Sequence, residues 1–230
     1  MSQHDLISWT NFEEVDQPVE PNKQKRPRRY LRSRITRKLI LDTALDVFLK
    51  EGYAKTTIAK ISQQAKVGYG TVYSHFKGKD DILNKVVDNV LTEFYNLLEV
   101  PFAPTTLADA REAYYELVLT SFRLSEQHRP IMRVYQEALG QSESIEAHWQ
   151  SIIGQFIKSS AHSFAYSQEK KLAAKFDIQV VAKAYILLVD SFIWEVVNEQ
   201  ENNLEHIANI IIDMLFHGFF DTSGKSSKKG

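Results

Sequence analysis

Apolar residues recur at helical spacing along most of the chain. Ile40, Ala44 and Val47 stand at i, i+4 and i+7, and Leu41, Leu45 and Phe48 repeat the interval beside them. That is the wide stripe of a core-facing helix, and Gly52 ends it as a C′ glycine does. Thr56 or Thr57 then caps a second helix, TIAKISQQA, with Ile58, Ile61 and Ala65 on one face. About two turns long, it is marginal alone and requires a partner. The partner follows a turn at Lys66, Val67 and Gly68: YGTVYSHF, with Val72 and Phe76 pointing inward. Further helices are predicted at 79–99, 107–127, 130–139, 143–166, 177–199 and 203–219, punctuated by Pro101, Pro104, Pro130 and Gly140. No strand pattern competes, so the fold class is all-α.

Two short helices joined by a tight turn, with a small residue (Ser62) where they approach, describe a helix-turn-helix. Charge sharpens the picture. The net value of −1 conceals three blocks: residues 1–22 have five acids and no Lys or Arg, residues 23–79 have fifteen bases against three acids, and residues 80–230 have thirteen bases against 21 acids. A basic block enclosing this motif points to a polyanion. The run Lys23–Arg34, which includes Arg28, Arg29 and Arg32, contains Pro27 and no apolar periodicity; it reads as a mobile basic arm. The outward positions of the third helix are Tyr69, Gly70, Thr71, Tyr73, Ser74 and His75, with no carboxylate among them. Such a face suits the major groove of duplex DNA.

The string TTIAKISQQAKVGYGTVYSHFKGKDDIL, preceded by RKLILDTALDVFLKEGY, resembles the N-terminal domain of the TetR family of bacterial transcriptional regulators over Arg34 to about Leu83. The resemblance implies that Thr57, Tyr73, His75 and Lys79 contact phosphates and that Tyr69, Gly70, Thr71 and Ser74 lie nearest the base edges. Those roles agree with elementary chemistry. Helix N-termini suit anions, phosphate contacts fix register, and Thr71 offers both a methyl and a hydroxyl to a base edge. The chain departs from the usual pattern twice. Lys66 stands where many members have Gly and must tolerate a left-handed backbone or shift the turn, and Gly68 replaces a Ser cap.

Beyond the motif, the segment after Asp177 is apolar over most of its circumference, and a helix hydrophobic all round must be covered all round. The reading is a homodimer whose interface is a four-helix bundle made from the last two helices of each protomer, with Leu187, Asp190, Trp194, Ile211 and Leu215 in it; a central core helix within one protomer is the alternative. The resemblance implies the same dimer. The middle helices carry Phe94, Tyr95, Phe122, Tyr135, Trp149 and Phe156, and with Arg123 these are candidates to line a small-molecule site. Further polar candidates are Gln127, Arg133, His148 and His162. Each aromatic taken singly is equally at home in a core.

There is no cysteine, which excludes disulfides, thiolate metal sites and a cysteine nucleophile. The seven histidines show no metal-binding spacing. No phosphate-binding loop, nucleophile elbow or dinucleotide fingerprint appears, so neither an enzyme nor a cofactor or metal is expected. Apolar runs fall short of a membrane span, and the N-terminus lacks the pattern of a secretory signal; a cytoplasmic location is expected. The expected organisation is an acidic disordered leader 1–22, a basic arm 23–33, a DNA-binding domain 34–94 with its motif at 57–76, a helical regulatory and dimerisation domain 95–220, and a disordered tail 221–230. Together these predict a dimeric repressor that binds a palindromic double-stranded operator and is released by an apolar or aromatic effector. A DNA-binding protein of the same fold, controlled by a protein partner, is the alternative.

Overall fold

A computed structural model describes residues 27–99 and 102–217, with side chains over 30–96 and 102–217. The leader 1–22, the start of the arm and the tail 221–230 lie outside the described residues. Among those described, the fold is all-α. The elements are α1 (Pro27–Lys55), α2 (Ile58–Ala65), α3 (Tyr69–His75), α4 (Lys79–Glu99), α5 (Leu107–Gln127), α6 (Arg129–Leu139), α7 (Glu143–Glu169), α8 (Ile178–Val197) and α9 (Leu204–His217). From α2 onward the predicted bounds hold to within a turn.

The first helix is the exception. It begins at Pro27, inside the stretch expected to be a mobile arm. Proline is at home in a first helical turn, and a helix anchored by the buried residues from Ile40 onward extends at little nucleation cost. Tyr30, Leu31, Ile35 and Leu39 remain exposed on this extension, so it buries little. The guanidinium of Arg34 lies 5.8 Å from the centre of the Tyr30 ring.

From Ile40 the predicted stripe is buried. Ile40, Ala44 and Phe48 are sealed completely and pack with Ile61, Val72, Ile82 and Leu83 of α2, α3 and α4. Thr57 caps α2, its hydroxyl accepting from the Lys60 N–H at 3.3 Å. Lys66 takes the left-handed backbone the turn demands (φ 55°, ψ 36°), and Ser62 Oγ donates to the Val67 carbonyl at 2.7 Å to close the turn. Gly68 caps α3 without a side-chain bond. The hydrophobic core runs on without a break into the body, where α7 packs along α8 and α5 packs on α8 and α9. Because α4 runs unbroken through residue 94, one helix serves both the DNA-binding layer and the body.

A bend at Gly52 joins these layers. Its φ of 75° with ψ of 175° is a conformation essentially confined to glycine, and it turns the next two amides toward α6. Glu137 on α6 receives them: Oε2 accepts from the Tyr53 N–H at 2.9 Å and Oε1 from the Ala54 N–H at 3.1 Å. A second clasp lies alongside. Tyr53 Oη donates to Asp80 Oδ1 and Ser142 Oγ donates to Asp80 Oδ2, both at 2.7 Å, tying α1, α4 and the start of α7 together. Burial, and then Asp80 as acceptor, push the Tyr53 hydroxyl up to about 12, so it remains a donor throughout the neutral range.

Replacing Gly52 by Ala would place a Cβ 2.9 Å from Glu137 Oε2 at a strained φ. The expected loss is about 1–3 kcal/mol, or roughly 2–10 °C in the midpoint of thermal unfolding for a chain of this size. An unchanged midpoint would show that the bend is not required.

Candidate nucleic-acid interface and enclosed cavity

On α3, Val72 alone is fully buried, and the opposite face is open. Tyr69 and Tyr73 are 54% and 48% exposed, large for aromatic residues. Their rings meet edge to face at 5.0 Å and their hydroxyls approach to 3.4 Å. The bond from Tyr69 raises the Tyr73 hydroxyl above its ordinary value. Gly70 and Ser74 are exposed, while Thr71 and His75 are half-buried at the edge of the face. No atom lies within 4 Å of where a Gly70 Cβ would stand, so packing within the protein does not explain that glycine. The surface there is open. Ser74 Oγ donates to the Thr71 carbonyl at 2.7 Å and is left as an acceptor.

Thr57 is exposed at the start of α2, its hydroxyl proton free to meet a phosphate. Lys79 stands at the first position of α4, where its amide is open to an anion as expected. Its ammonium donates to the Tyr53 carbonyl at 3.0 Å and lies 3.9 Å from the centre of the Tyr53 ring. The ammonium is thus tethered to Tyr53 while the amide stands in the first turn of α4. Arg28 and Arg29 fall in the first turn of α1, and Arg32 is exposed on the second. The structure thus places the helix-turn-helix candidates together, with the arm's arginines carried on a helix.

The candidates for the small-molecule site divide. Phe94, Trp149 and Phe156 line a partly open cavity of about 50 Å³ between α4, α5, α6, α7 and α8. Tyr95 lies outside this lining, its ring stacked on Phe156 at 5.8 Å. Phe122 is core, sealed completely. Arg123 is on the surface, paired with Glu205 at 3.4 Å. Tyr135 is buried and turned toward His148, its Oη 2.7 Å from Nδ1. Among the further candidates, Gln127 and His162 are exposed, and Arg133 donates to the Val197 carbonyl at the end of α8.

The interface candidates divide as well. Ile211 is 2% exposed and belongs to the protomer's own core, while its neighbour Ile210 faces outward. Asp190 turns inward and lines the cavity. Trp194 packs its ring 5.1 Å from that of Trp149, and Leu215 is partly covered against the core. Leu187 does stand outward, 45% exposed, near Val180 and Ala184 on the same stripe of α8. An apolar helix has no polar face to betray its orientation, and one residue of error rotates it by about 100°.

Sequence reasoning missed a chain of polar contacts beside the cavity. His148 Nε2 donates to Asp88 Oδ1 on α4 at 2.8 Å, and Lys85 closes on Asp88 Oδ2 at 2.8 Å. Burial acts upward on the Asp88 carboxyl, but the bonds from His148 and Lys85 outweigh it and hold it below its ordinary value. Adjacent residues of α7 therefore face two ways: Trp149 into the cavity, His148 onto α4. Among the described residues there is no cluster able to hold a metal ion and no helix long and apolar enough to cross a membrane.

The sequence model of the bacterial regulatory proteins of the tetR family matches residues 40–86, which hold the buried stripe of α1, all of α2 and α3, and the first turns of α4. Over 200 residues the chain is 25% identical to the fatty acid metabolism regulator protein of Bacillus subtilis, covering 85% of this chain and 97% of that one. It is 34% identical over 104 residues to the HTH-type transcriptional regulator TtgW of Pseudomonas putida, 45% of this chain and 72% of the relative. The crystal structure of FadR from Bacillus subtilis in complex with stearoyl-CoA shares the fold, with a TM-score of 0.63 at 21% identity over 80% of this chain and 99% of that one. A reading helix this open, in a chain that aligns with these regulators along its DNA-binding motif and far beyond it, belongs to the TetR family of DNA-binding transcriptional regulators.

Proposed function

We propose that the chain is a homodimeric repressor whose two α3 helices read a palindromic operator and which is released when an apolar effector fills the cavity. The observation that carries this reading is the two-way facing of α7. Trp149 forms cavity wall, and the residue before it holds α4, the helix that leads directly from the helix-turn-helix. A cavity of about 50 Å³ is far smaller than the several hundred Å³ a typical ligand site encloses. An effector must part its walls, and Leu91 and Phe94 of α4 are among them. The ligand then favours a second arrangement of α4, which is what control of a distant site requires energetically. The lining suits an acyl chain or an aromatic body, and the FadR relative holds a molecule with a long acyl chain. The outward stripe of Val180, Ala184 and Leu187, with Ile210 on α9, supports pairing of two protomers.

The DNA-reading assignment is tested with duplexes selected from random sequence. Tyr73→Phe should weaken every duplex by a similar factor, whereas Thr71→Ala should alter the ranking among them. With about four to six phosphate contacts per dimer, the logarithm of affinity should fall with that of salt at a slope of roughly −4 to −5. A ranking untouched by Thr71→Ala removes the base-reading role of that residue.

Pairing is tested by Leu187→Glu. It should shift the purified chain from two protomers to one in sedimentation and abolish tight operator binding while leaving the helical content intact. A dimer that survives the change places the interface elsewhere.

A further inference from the structure

The cavity contains one feature that an apolar effector leaves unexplained. Its wall is hydrocarbon and aromatic apart from two serines, the Tyr185 phenol and one ionisable carboxyl, Asp190 of α8. Ser121 is already committed, its Oγ donating to the Leu117 carbonyl at 2.8 Å. Asp190 is different. Its Oδ1 is shut off from solvent and has no hydrogen-bond partner. Such an oxygen costs stability, about 1–3 kcal/mol for a neutral group and more for a charged one. Burial pushes the carboxyl up to about 6, against the pull of the Trp194 and Trp149 indoles, which favour the ionised form. At neutral pH it therefore still carries a charge.

No Lys, Arg or His lines the cavity to balance that charge. Two indoles do flank it, the rings of Trp149 and Trp194 standing 5.1 Å apart at 55°. A buried carboxylate with one oxygen left over by the two indoles, in a wall that holds no counter-charge, attracts a protonated nitrogen through a charge-assisted hydrogen bond. A neutral apolar molecule would fill the space and leave the carboxylate buried without water or a counter-charge. A fatty carboxylate would add a second negative charge to it.

We infer that the effector site is built for a cationic amphiphile, an alkyl or aryl amine whose protonated nitrogen pairs with Asp190 beside Trp149 while its apolar body occupies the space toward Phe94 and Phe156. This rests on the reading of the cavity as the effector site and names the chemical class of its occupant. Asp190 is the specificity-determining residue of that site.

The test uses the full chain in 0.15 M salt at pH 7.5 and three probes of one chain length, decylamine, decan-1-ol and decanoate. Binding is followed by the fluorescence of Trp149 and Trp194, which supply two of the three tryptophans. The expected order is amine, then alcohol, then carboxylate, with at least tenfold between the first two. In Asp190→Asn, amine and alcohol should bind within about twofold of each other, and in Asp190→Glu the preference for the amine should return. An alcohol or carboxylate that binds the wild type as tightly as the amine overturns the inference and leaves the cavity as an effector site for neutral or acidic ligands. A preference for the amine that persists in Asp190→Asn also overturns it, by placing the cation elsewhere. If no probe binds the wild type, the reading of the cavity itself fails, and the inference with it. The order measured in the wild type decides even if Asp190→Asn does not fold.

Discussion

The direction in which the reading helix points is set by one carboxylate. Glu137 accepts the amides of Tyr53 and Ala54, groups 84 and 83 residues away in sequence, and can do so because Gly52 adopts a backbone other residues avoid. Without that joint, α1 would meet α6 chiefly through apolar contact, which is strong but not directional. Hydrogen bonds to a charged acceptor fix angle as well as distance. The Asp80 clasp repeats the device one helix over, where a tyrosine from α1 and a serine from the α6–α7 turn share the two oxygens of one carboxylate. The helix-turn-helix is thus held to the body at α6, α4 and the start of α7.

The same helices wall the cavity, and this is the physical route for the proposed control by a ligand. Close-packed interiors do not yield continuously; they shift between discrete arrangements. A ligand larger than that space has to move α4 or α7, and neither moves without disturbing the bonds of His148 and Asp88. The Asp190 oxygen left without a partner in the wall costs the empty protein stability, and in the proposed site it is what would let a mostly apolar cavity discriminate between molecules of similar bulk.

Much of this was legible in the sequence. The buried stripe from Ile40 to Phe48 follows from its spacing, the left-handed turn at Lys66 from the place it occupies, and the open face of α3 from its lack of carboxylates. Other features were hidden for identifiable reasons. The helical state of Pro27 to Ser33 is propagated from residues further along and leaves no apolar pattern of its own. Ile211 and Asp190 were assigned to an interface because α8 and α9 are apolar on nearly every side, so periodicity cannot say which side faces inward. The sealed positions of Phe122 and Tyr135 could not be told from cavity wall, since both need large apolar side chains. Glu137 looked like any exposed acid on a helix; only the partner brought to it by the fold gives it a role.

The most direct test of the central claim, that the joint and the cavity together set the position of the reading helices, is a distance between them in the paired protein. The chain has no cysteine, so Gln64→Cys on the exposed side of α2 accepts one spin label per protomer. Dipolar electron resonance on the complex with a selected duplex should give one narrow distribution, fixed by half-sites a helical turn of ~34 Å apart or a multiple of it. Filling the cavity should displace that distribution by several ångströms and broaden it. Absence of dipolar coupling, or a distribution indifferent to both DNA and ligand, would contradict the claim.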